Sequence, residues 1–202
     1  MPFINLANTT EEKIAIHSTS SVFFLWNTSK KIIFSLEKEH AEVIIFALFV
    51  GKNQEQFSFD ANIIHQAPRT HSRIITLAVM DDASSSVCNG IIRMKSNATG
   101  SITSQENKNF LLSSQATAQT IPALEILTDD VSARHASVTG MPNKEALFSL
   151  ESRGISQQMT SQLFTEGSIH TFFETMRVAC DNDDTKVIHT IEKNVLDFLQ
   201  KK

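Results

Sequence analysis

The sequence predicts a mainly β chain that ends in a helical segment. Two observations carry this expectation. Short apolar runs rich in β-branched and aromatic residues recur at intervals of roughly ten residues across the first three quarters of the chain. After Gly154 the apolar spacing becomes helical. We therefore divide the chain into a strand domain over residues 1–154 and a helical domain over residues 155–202.

The strand domain begins after about 20 residues that are polar and weakly patterned. The predicted strands include Val22–Trp26, Lys31–Leu36, Glu42–Val50, Gln56–Phe59, Ile63–His65 and Arg73–Val79. Polar turn residues such as those of Ser96–Gly100 separate later strands. Many short strands with even turn spacing fit a sandwich, a barrel or a β-solenoid, and the pattern alone does not choose among them.

The helical domain is predicted to contain three helices. Ser156 is a good N-cap for the first. Gly167 and Ser168 are expected to separate it from a second helix that carries Phe172, Phe173 and Met176. A third helix follows an acidic run at residues 181–184, and its apolar face is formed by Ile188, Ile191, Val195 and Phe198.

Composition excludes several classes of function. The chain has 202 residues, a net charge of −4 and no basic run, so it lacks the charge footprint of a protein that binds nucleic acid or an anionic membrane. The longest apolar run, Val43–Val50, is too short to cross a bilayer. The N-terminus has no basic region before an apolar one, so we expect a cytoplasmic protein, with the stroma of an organelle as the alternative.

The usual motifs of catalysis are missing from the sequence. It contains no Gly-x-x-x-x-Gly-Lys-Ser/Thr phosphate loop and no Gly-x-Ser-x-Gly elbow. Asp129 and Asp130 are adjacent, so on a strand they would point to opposite faces, and a turn is favoured. Cys88 is expected to be a buried packing residue, and Cys180, beside an acidic run, is not expected to be a reactive thiolate.

Two histidines, His65 and His71, flank Pro68 and could in principle meet at a metal ion. A turn between strands, fixed by the proline, is the stronger reading of this segment. His170 and His189 lie on the predicted helices with no partner at i+4, so we expect them at the surface.

A series of short motifs carries a family resemblance. In order they are His65–Ser72, Asn89–Ile92, Asn109–Ser113, Pro122–Ile126, Asp129–His135 and Leu147–Ile155. Together they resemble the SufB/SufD family, the scaffold subunits of the SUF iron–sulfur cluster assembly machine. The chain looks closest to a shortened, divergent SufD.

The resemblance implies a right-handed parallel β-helix followed by a small C-terminal helical domain. It also implies a non-catalytic, SufD-like subunit that pairs with a SufB-like subunit and docks the SufC ATPase; a homodimer stays open. By the same resemblance, His135 would lie at the interface with SufB, near Val131 and Ala133, as a candidate iron ligand. An iron–sulfur cluster would then be held transiently at that interface, and no cofactor would be bound stably by this chain alone.

The family's partner surface for SufC falls on the C-terminal helices, where the candidate residues are Phe172, Phe173, Met176, Ile188 and Ile191. The alternative for these residues is internal packing. The chain also departs from the family, because Ala116 stands where SufB has a reactive cysteine and Ala136 follows the interface histidine.

Two other functions stay open at this point. A β-helix enzyme that acts on an extended polymer would need clustered carboxylates or basic residues on one face, and the charged residues here are scattered. A structural relic would only stabilise a partner.

Overall fold

The computed structural model describes residues 3–17, 19–141, 144–180 and 182–200. Within them the strands are β1 (Phe3–Asn5), β2 (Lys13–Ile16), β3 (Ser21–Trp26), β4 (Lys30–Leu36), β5 (Glu42–Gly51), β6 (Gln56–His65), β7 (His71–Met80), β8 (Ser85–Met94), β9 (Ser101–Leu111), β10 (Thr117–Ile126) and β11 (Val131–Gly140). The helices are α1 (Lys144–Glu151), α2 (Gln157–Ala179) and α3 (Thr185–Gln200).

The strands form a parallel β-helix, which confirms the expected fold class. Odd-numbered strands make one sheet in the order β1-β3-β5-β7-β9-β11, and even-numbered strands make the second in the order β10-β8-β6-β4-β2. The pairing is parallel, and Ile44 pairs with Arg73, which pairs in turn with Ser104. One coil therefore takes roughly 30 residues, and each coil adds one strand to each sheet.

Backbone turns at the two corners of the coil repeat in register. Non-glycine residues adopt a left-handed conformation at Asn27, Asn53 and Asp82 on one corner and at His40 and Arg69 on the other. Asn and Asp tolerate this conformation better than most residues. Hydrogen bonds join each corner to the same corner of the next coil. The Asn53 N–H donates to Asp82 Oδ2 over 2.9 Å, and the Arg69 N–H donates to the Thr99 carbonyl over 2.8 Å. Each coil thus turns at the same place as the coil beneath it.

The inside of the early coils is apolar. Alternate residues of each strand point inwards, and those of β3 to β6 form one buried cluster that includes Phe23, Phe34, Ile45, Phe49 and Phe59. β5 reads as a continuous apolar run because its residues from Val43 to Val50 are buried on both faces. These large side chains give the coils their main hydrophobic stabilisation.

The inward face of β9 is polar instead. The inward residues of β9 are Ser101, Thr103, Gln105, Asn107 and Asn109, and each is at most 2% exposed. No apolar alternation marks β9, which explains why its sequence does not read as a buried strand. Gly90 on β8 lies under this layer, and a Cβ there would overlap the amide of Gln105. The glycine is therefore a packing requirement of the polar layer.

A buried histidine joins this polar layer to the coil beneath it. His65 is 0% exposed; its Nδ1 lies 2.7 Å from Thr70 Oγ1 and its Nε2 2.9 Å from Ser72 Oγ. Thr70 and Ser72 in turn contact Ser101 and Thr103, over 2.9 and 2.7 Å. Thr70 Oγ1 uses its proton to donate to the Ala67 carbonyl, so it can only accept from His65 Nδ1. A neutral ring with its proton on Nδ1 therefore gives both ring nitrogens a hydrogen bond. Burial, helped by the charge of His71, lowers the pKa of His65 to about 4.

The chain divides into two compact units, residues 1–139 and residues 140–202. The helical unit therefore begins before residue 155, where the sequence reading placed it, because α1 forms within the segment that was expected to end the strand region. Ser156 is the N-cap of α2, and its Oγ accepts from the Met159 N–H over 3.3 Å. The expected break at Gly167 and Ser168 is wrong, since α2 is continuous from Gln157 to Ala179.

The helix continues because Ser168 does not cap it. Its hydroxyl donates to the Phe164 carbonyl one turn back, over 2.8 Å.

Residues 3–16 also differ from expectation, since β1 and β2 pair with β3 and β4. Both strands are short and only partly buried, which leaves little apolar pattern in the sequence.

A network of charges connects α2 and α3. The side chain of Glu192 on α3 is only 7% exposed, and its carboxylate is paired with the Arg177 guanidinium on α2 and lies 2.9 Å from His170 Nδ1. Glu174 completes the network through Arg177, over 2.5 Å, and through His170, over 3.7 Å. A carboxylate this buried is tolerated because it is paired and hydrogen-bonded.

The folded state should lose stability in acid because of His65. The unfolded chain takes up the proton near pH 6.5 and the folded chain only near pH 4, so the contribution is complete above about pH 6.5 and falls as the pH drops towards 4. The loss should approach about 3 kcal/mol. Urea unfolding gives the unfolding free energy of the wild type and of His65→Gln at each pH between these values. The difference between their two pH dependences is the contribution of His65. NMR titration of the His65 ring provides a check that needs no variant, and a midpoint near 6.5 would contradict the prediction.

The pair Arg177–Glu192 should be strongly coupled. Removing either partner leaves the other charge poorly solvated. Arg177→Met and Glu192→Gln should therefore each lose more than half of the unfolding free energy that the double variant loses. The coupling energy from the double-mutant cycle should be about 1–3 kcal/mol. Gln162 and Glu166, an exposed pair on α2 at 2.9 Å, serve as the control, with an expected coupling of at most about 0.5 kcal/mol. Equal coupling in the two cycles would refute the assignment.

Candidate functional site

The candidate site is the end of the β-helix formed by β10 and β11. These strands are the last in their sheets, so each presents an edge with backbone groups that no further strand of the described chain pairs. In the described part of residues 1–139, the exposed large apolar side chains all lie on or beside the last three strands: Ile102, Ile121, Leu124, Ile126, Leu127 and Val138. An apolar surface beside two free strand edges is typical of a protein interface.

The predicted interface residues lie at this end. Val131 and Ala133 on β11 are half-buried, and His135 is exposed. His135 is four residues before Thr139, and successive residues of a strand alternate faces, so both lie on the same face of β11. Thr139 Oγ1 accepts from Asn109 Nδ2 over 2.8 Å, which places that face towards the inside of the coil. His135 therefore lies at the mouth of the coil, open to solvent.

The turn before β11 is fixed by the backbone. Asp129 and Asp130 lie between β10 and β11, and the Gly100 N–H donates to the Asp130 carbonyl over 2.7 Å. Gly100 has a φ of 69°, a conformation that favours glycine. The two aspartates thus lie in the turn between β10 and β11, as the sequence predicted.

Ala116 and Ala136 have methyl side chains that carry no metal-binding or nucleophilic group. Ala116 is 5% exposed and belongs to the apolar cluster inside the coil. Ala136 is exposed on β11, and it points away from the face that carries His135 because it is the next residue along the strand. Neither position offers a metal ligand or a nucleophile, so the chain supplies no thiolate at the mouth of the coil from these positions.

The other titratable candidates do not form a site. His65 is enclosed by hydroxyls while His71 is exposed, so the two do not converge on a metal ion. Among the described residues, no group of three or more His, Cys, Asp or Glu side chains has a metal-binding arrangement. Burial and Asp60 raise the pKa of the Cys88 thiol to about 12, and burial and Asp184 raise the pKa of Cys180 to about 11. Both thiols are therefore protonated and unreactive at neutral pH.

Several acidic side chains on the outer faces of the sheets are paired with groups of neighbouring coils. Arg73 binds Glu106 over 2.9 Å, and Arg93 binds Glu125 over 2.8 Å and Asn62 over 2.6 Å. Asp60 accepts a hydrogen bond from Asn89. These pairings with cationic or amide groups join neighbouring coils and stabilise the stack.

The helical residues proposed for docking are mostly internal. Phe173, Met176 and Ile188 are fully buried, Phe172 is 5% exposed, and Ile191 is half-buried. Their burial favours the alternative of internal packing. Among the described residues of this unit, the exposed large apolar side chains are different ones: Met141, Phe148, Met159, Leu163, Val178 and Val187. An apolar stripe in a sequence does not reveal which of its members the neighbouring helix covers.

The sequence reading also missed the charge network of α2. His170 was expected at the surface without a partner at i+4, but Glu174 occupies that position and contacts it over 3.7 Å. The spacing of His170, Glu174 and Arg177 places all three on one helix face and was visible in the sequence. The fourth member, Glu192, lies on α3 and required the tertiary structure.

None of the helices within the described residues combines the length and the hydrophobicity that crossing a lipid bilayer requires.

Comparison with known proteins agrees with the fold and with the motif series. Residues 6–168 match the family model described as SUF system FeS cluster assembly, SufBD core domain. An iron–sulfur cluster assembly SufBD family protein of Staphylococcus saprophyticus is 33% identical over 124 residues, which cover 61% of this chain and 26% of that protein. Similar proteins of Staphylococcus haemolyticus and Staphylococcus aureus USA300 are 32% identical over 124 residues, with the same coverage.

The alignment thus spans about a quarter of the length of these curated relatives. The family model, by contrast, matches most of this chain, including the β-helix from its first coil and much of α2. The stacked parallel coils, the ordered motifs and the family match lead to one conclusion: the chain belongs to the SufBD family of the SUF system for iron–sulfur cluster assembly.

Proposed function

We propose that this chain is a SufD-like, non-catalytic subunit that pairs with a SufB-like subunit through the open end of its β-helix. The observation that carries the proposal is the concentration of exposed apolar residues and free strand edges on β10 and β11. An extended strand from a partner can add to such an edge through main-chain hydrogen bonds. A partner with a similar open coil would cover both edges at once.

The proposed role of His135 follows from its position. Its imidazole lies at the mouth of the coil, where a partner's residues would face it, and imidazole is a good ligand for iron. A single histidine does not hold an iron–sulfur cluster, and Ala116 and Ala136 add no ligand. The cluster, as cargo, would therefore be bound transiently and only when the SufB-like subunit supplies the remaining ligands.

The helical unit is the proposed docking element for a SufC ATPase. The buried residues Phe173, Met176 and Ile188 hold α2 and α3 together, and in this role they would support docking indirectly. The direct contacts would come from exposed apolar residues on α1 and the first half of α2, namely Phe148, Met159 and Leu163, which are 70%, 50% and 43% exposed. Exposed apolar side chains at helix surfaces are suited to a partner's groove.

Pairing should be lost when a charge is placed at the open end. Val138 is 62% exposed, so Val138→Asp should leave the fold intact while a charge beside the free edge blocks strand addition. The chain is co-expressed with the SufB-like and SufC proteins of its own source and purified through a tag on this chain. The wild type should recover both partners, and Val138→Asp should recover SufC with at least about tenfold less SufB-like subunit, which is ~1.4 kcal/mol.

The control for this experiment is Val178→Asp, which places the same charge at an exposed position of α2. His135→Ala, in a complementation assay, tests the cluster role separately: it should keep both partners and lose cluster assembly. A chain that recovers neither partner in the wild type rejects the SufD-like role, and full complementation by His135→Ala would leave only a structural role.

Docking of SufC should depend on the exposed residues of the helical unit. Phe148→Asp and Leu163→Asp should reduce the recovered SufC without reducing the SufB-like subunit, because both side chains are exposed and their loss does not open the core. Circular dichroism checks that the helices remain. Wild-type recovery of SufC with both variants would place the docking surface elsewhere.

A further inference from the structure

The amide of Asn107 is an exception within the polar layer of β9. Asn107 is 2% exposed, and its Oδ1 accepts from Thr76 Oγ1 over 2.8 Å. Its Nδ2, with two N–H groups, has no acceptor among the described residues. If the amide oxygen and nitrogen were exchanged, the nitrogen could donate to Thr76 Oγ1, but the oxygen would then have no donor. One buried polar atom therefore stays unpaired in either orientation.

The Nδ2 of Asn109, the neighbour of Asn107 on the same face of β9, has two acceptors. Asn109 Nδ2 donates to Thr120 Oγ1 over 3.0 Å and to Thr139 Oγ1 over 2.8 Å, so both of its N–H groups are used. The two asparagines have the same chemistry, the same strand and the same burial, yet only one has protein acceptors. Buried donors are almost always satisfied, and an ordered water molecule is the usual partner when the protein offers none.

The surroundings of Asn107 can admit water. It lies on the last strand but one of its sheet, next to β11, and residues 134–139 of β11 are exposed. On the opposite sheet the inward residues of β10 are small: Ala118, Thr120 and Pro122 are only half-buried. Solvent is therefore one strand away from Asn107 on the side of β11.

We propose that Asn107 Nδ2 binds a water molecule inside the last coils of the β-helix. The water accepts from the amide, and its own protons are donated to oxygen atoms of the polar layer or of the solvent at the open end. The interior of the domain then has two parts: a dry apolar part in the early coils and a hydrated polar part beneath β10 and β11. This inference does not depend on the partners proposed above.

The test is an NMR experiment on the full chain with ¹⁵N-labelled asparagine. Side-chain amide signals of Asn107 and Asn109 are assigned with the variants Asn107→Ser and Asn109→Ser, and transfer from water to each amide is measured. We expect a cross-peak of a long-lived bound water at Asn107 and a much weaker one at Asn109, whose N–H groups are occupied. Absence of the cross-peak at Asn107, or equal intensity at both, would overturn the proposal.

A crystal structure that shows ordered water gives an independent reading. The wild type should have a water molecule within hydrogen-bonding distance of Asn107 Nδ2, and Asn107→Leu, which offers no donor, should lack it. If Asn107 instead donates to a protein oxygen, or if the same water remains in Asn107→Leu, the amide does not bind it. Should Asn107→Leu fail to fold, the NMR comparison with the wild type decides alone.

Discussion

The parallel backbone ladder between successive coils is the constraint on which the rest of the structure depends. Each strand pairs with the strand two positions later in the chain, so every coil must have the same length in its strands and turn at the same corners. The left-handed residues at Asn53 and Arg69 satisfy the second demand. A ladder of this kind has no closing pair, so a free edge at its end is unavoidable unless another chain or another segment covers it. The proposed pairing with a partner subunit makes use of this free edge.

The stacking also explains which part of the fold the sequence predicted. Strands β3, β4, β5 and β7, and β6 in two pieces, were predicted because they bury large apolar side chains, which leave a clear pattern, as in Glu42–Val50. β9 carries the same inward alternation with Ser101, Thr103 and Gln105, and hydropathy does not register it. Hydrogen bonds between coils compensate for the burial of its polar side chains. Because these bonds depend on the tertiary structure, the sequence alone does not reveal them. The parallel β-helix itself was reached through the family resemblance, since strand spacing also fitted a sandwich or a barrel.

The helical unit illustrates a different limit. The apolar spacing of α3 was predicted correctly, but the same stripe was a candidate surface and a candidate core at once. Ile188 and Val195 are fully buried, which identifies that stripe as core, and the exposed apolar residues Phe148 and Leu163 were not among the predicted docking residues. Gly167 was given too much weight as a helix breaker; a single glycine costs a helix only about 1 kcal/mol, which the packing of Ile169 and Phe173 offsets.

The chemistry available at the open end restricts what the chain can contribute to a cluster. Its two cysteines have raised pKa values, Cys88 inside the β-helix and Cys180 in the helical unit, so neither offers a thiolate at neutral pH. Iron–sulfur clusters are held chiefly by thiolates, and one imidazole at the mouth of the coil can supply a single ligand. Since the same end carries the exposed apolar surface, the residue that could bind iron and the surface that could bind a partner coincide. The proposal that this chain contributes one ligand to a cluster site completed by a partner rests on this coincidence.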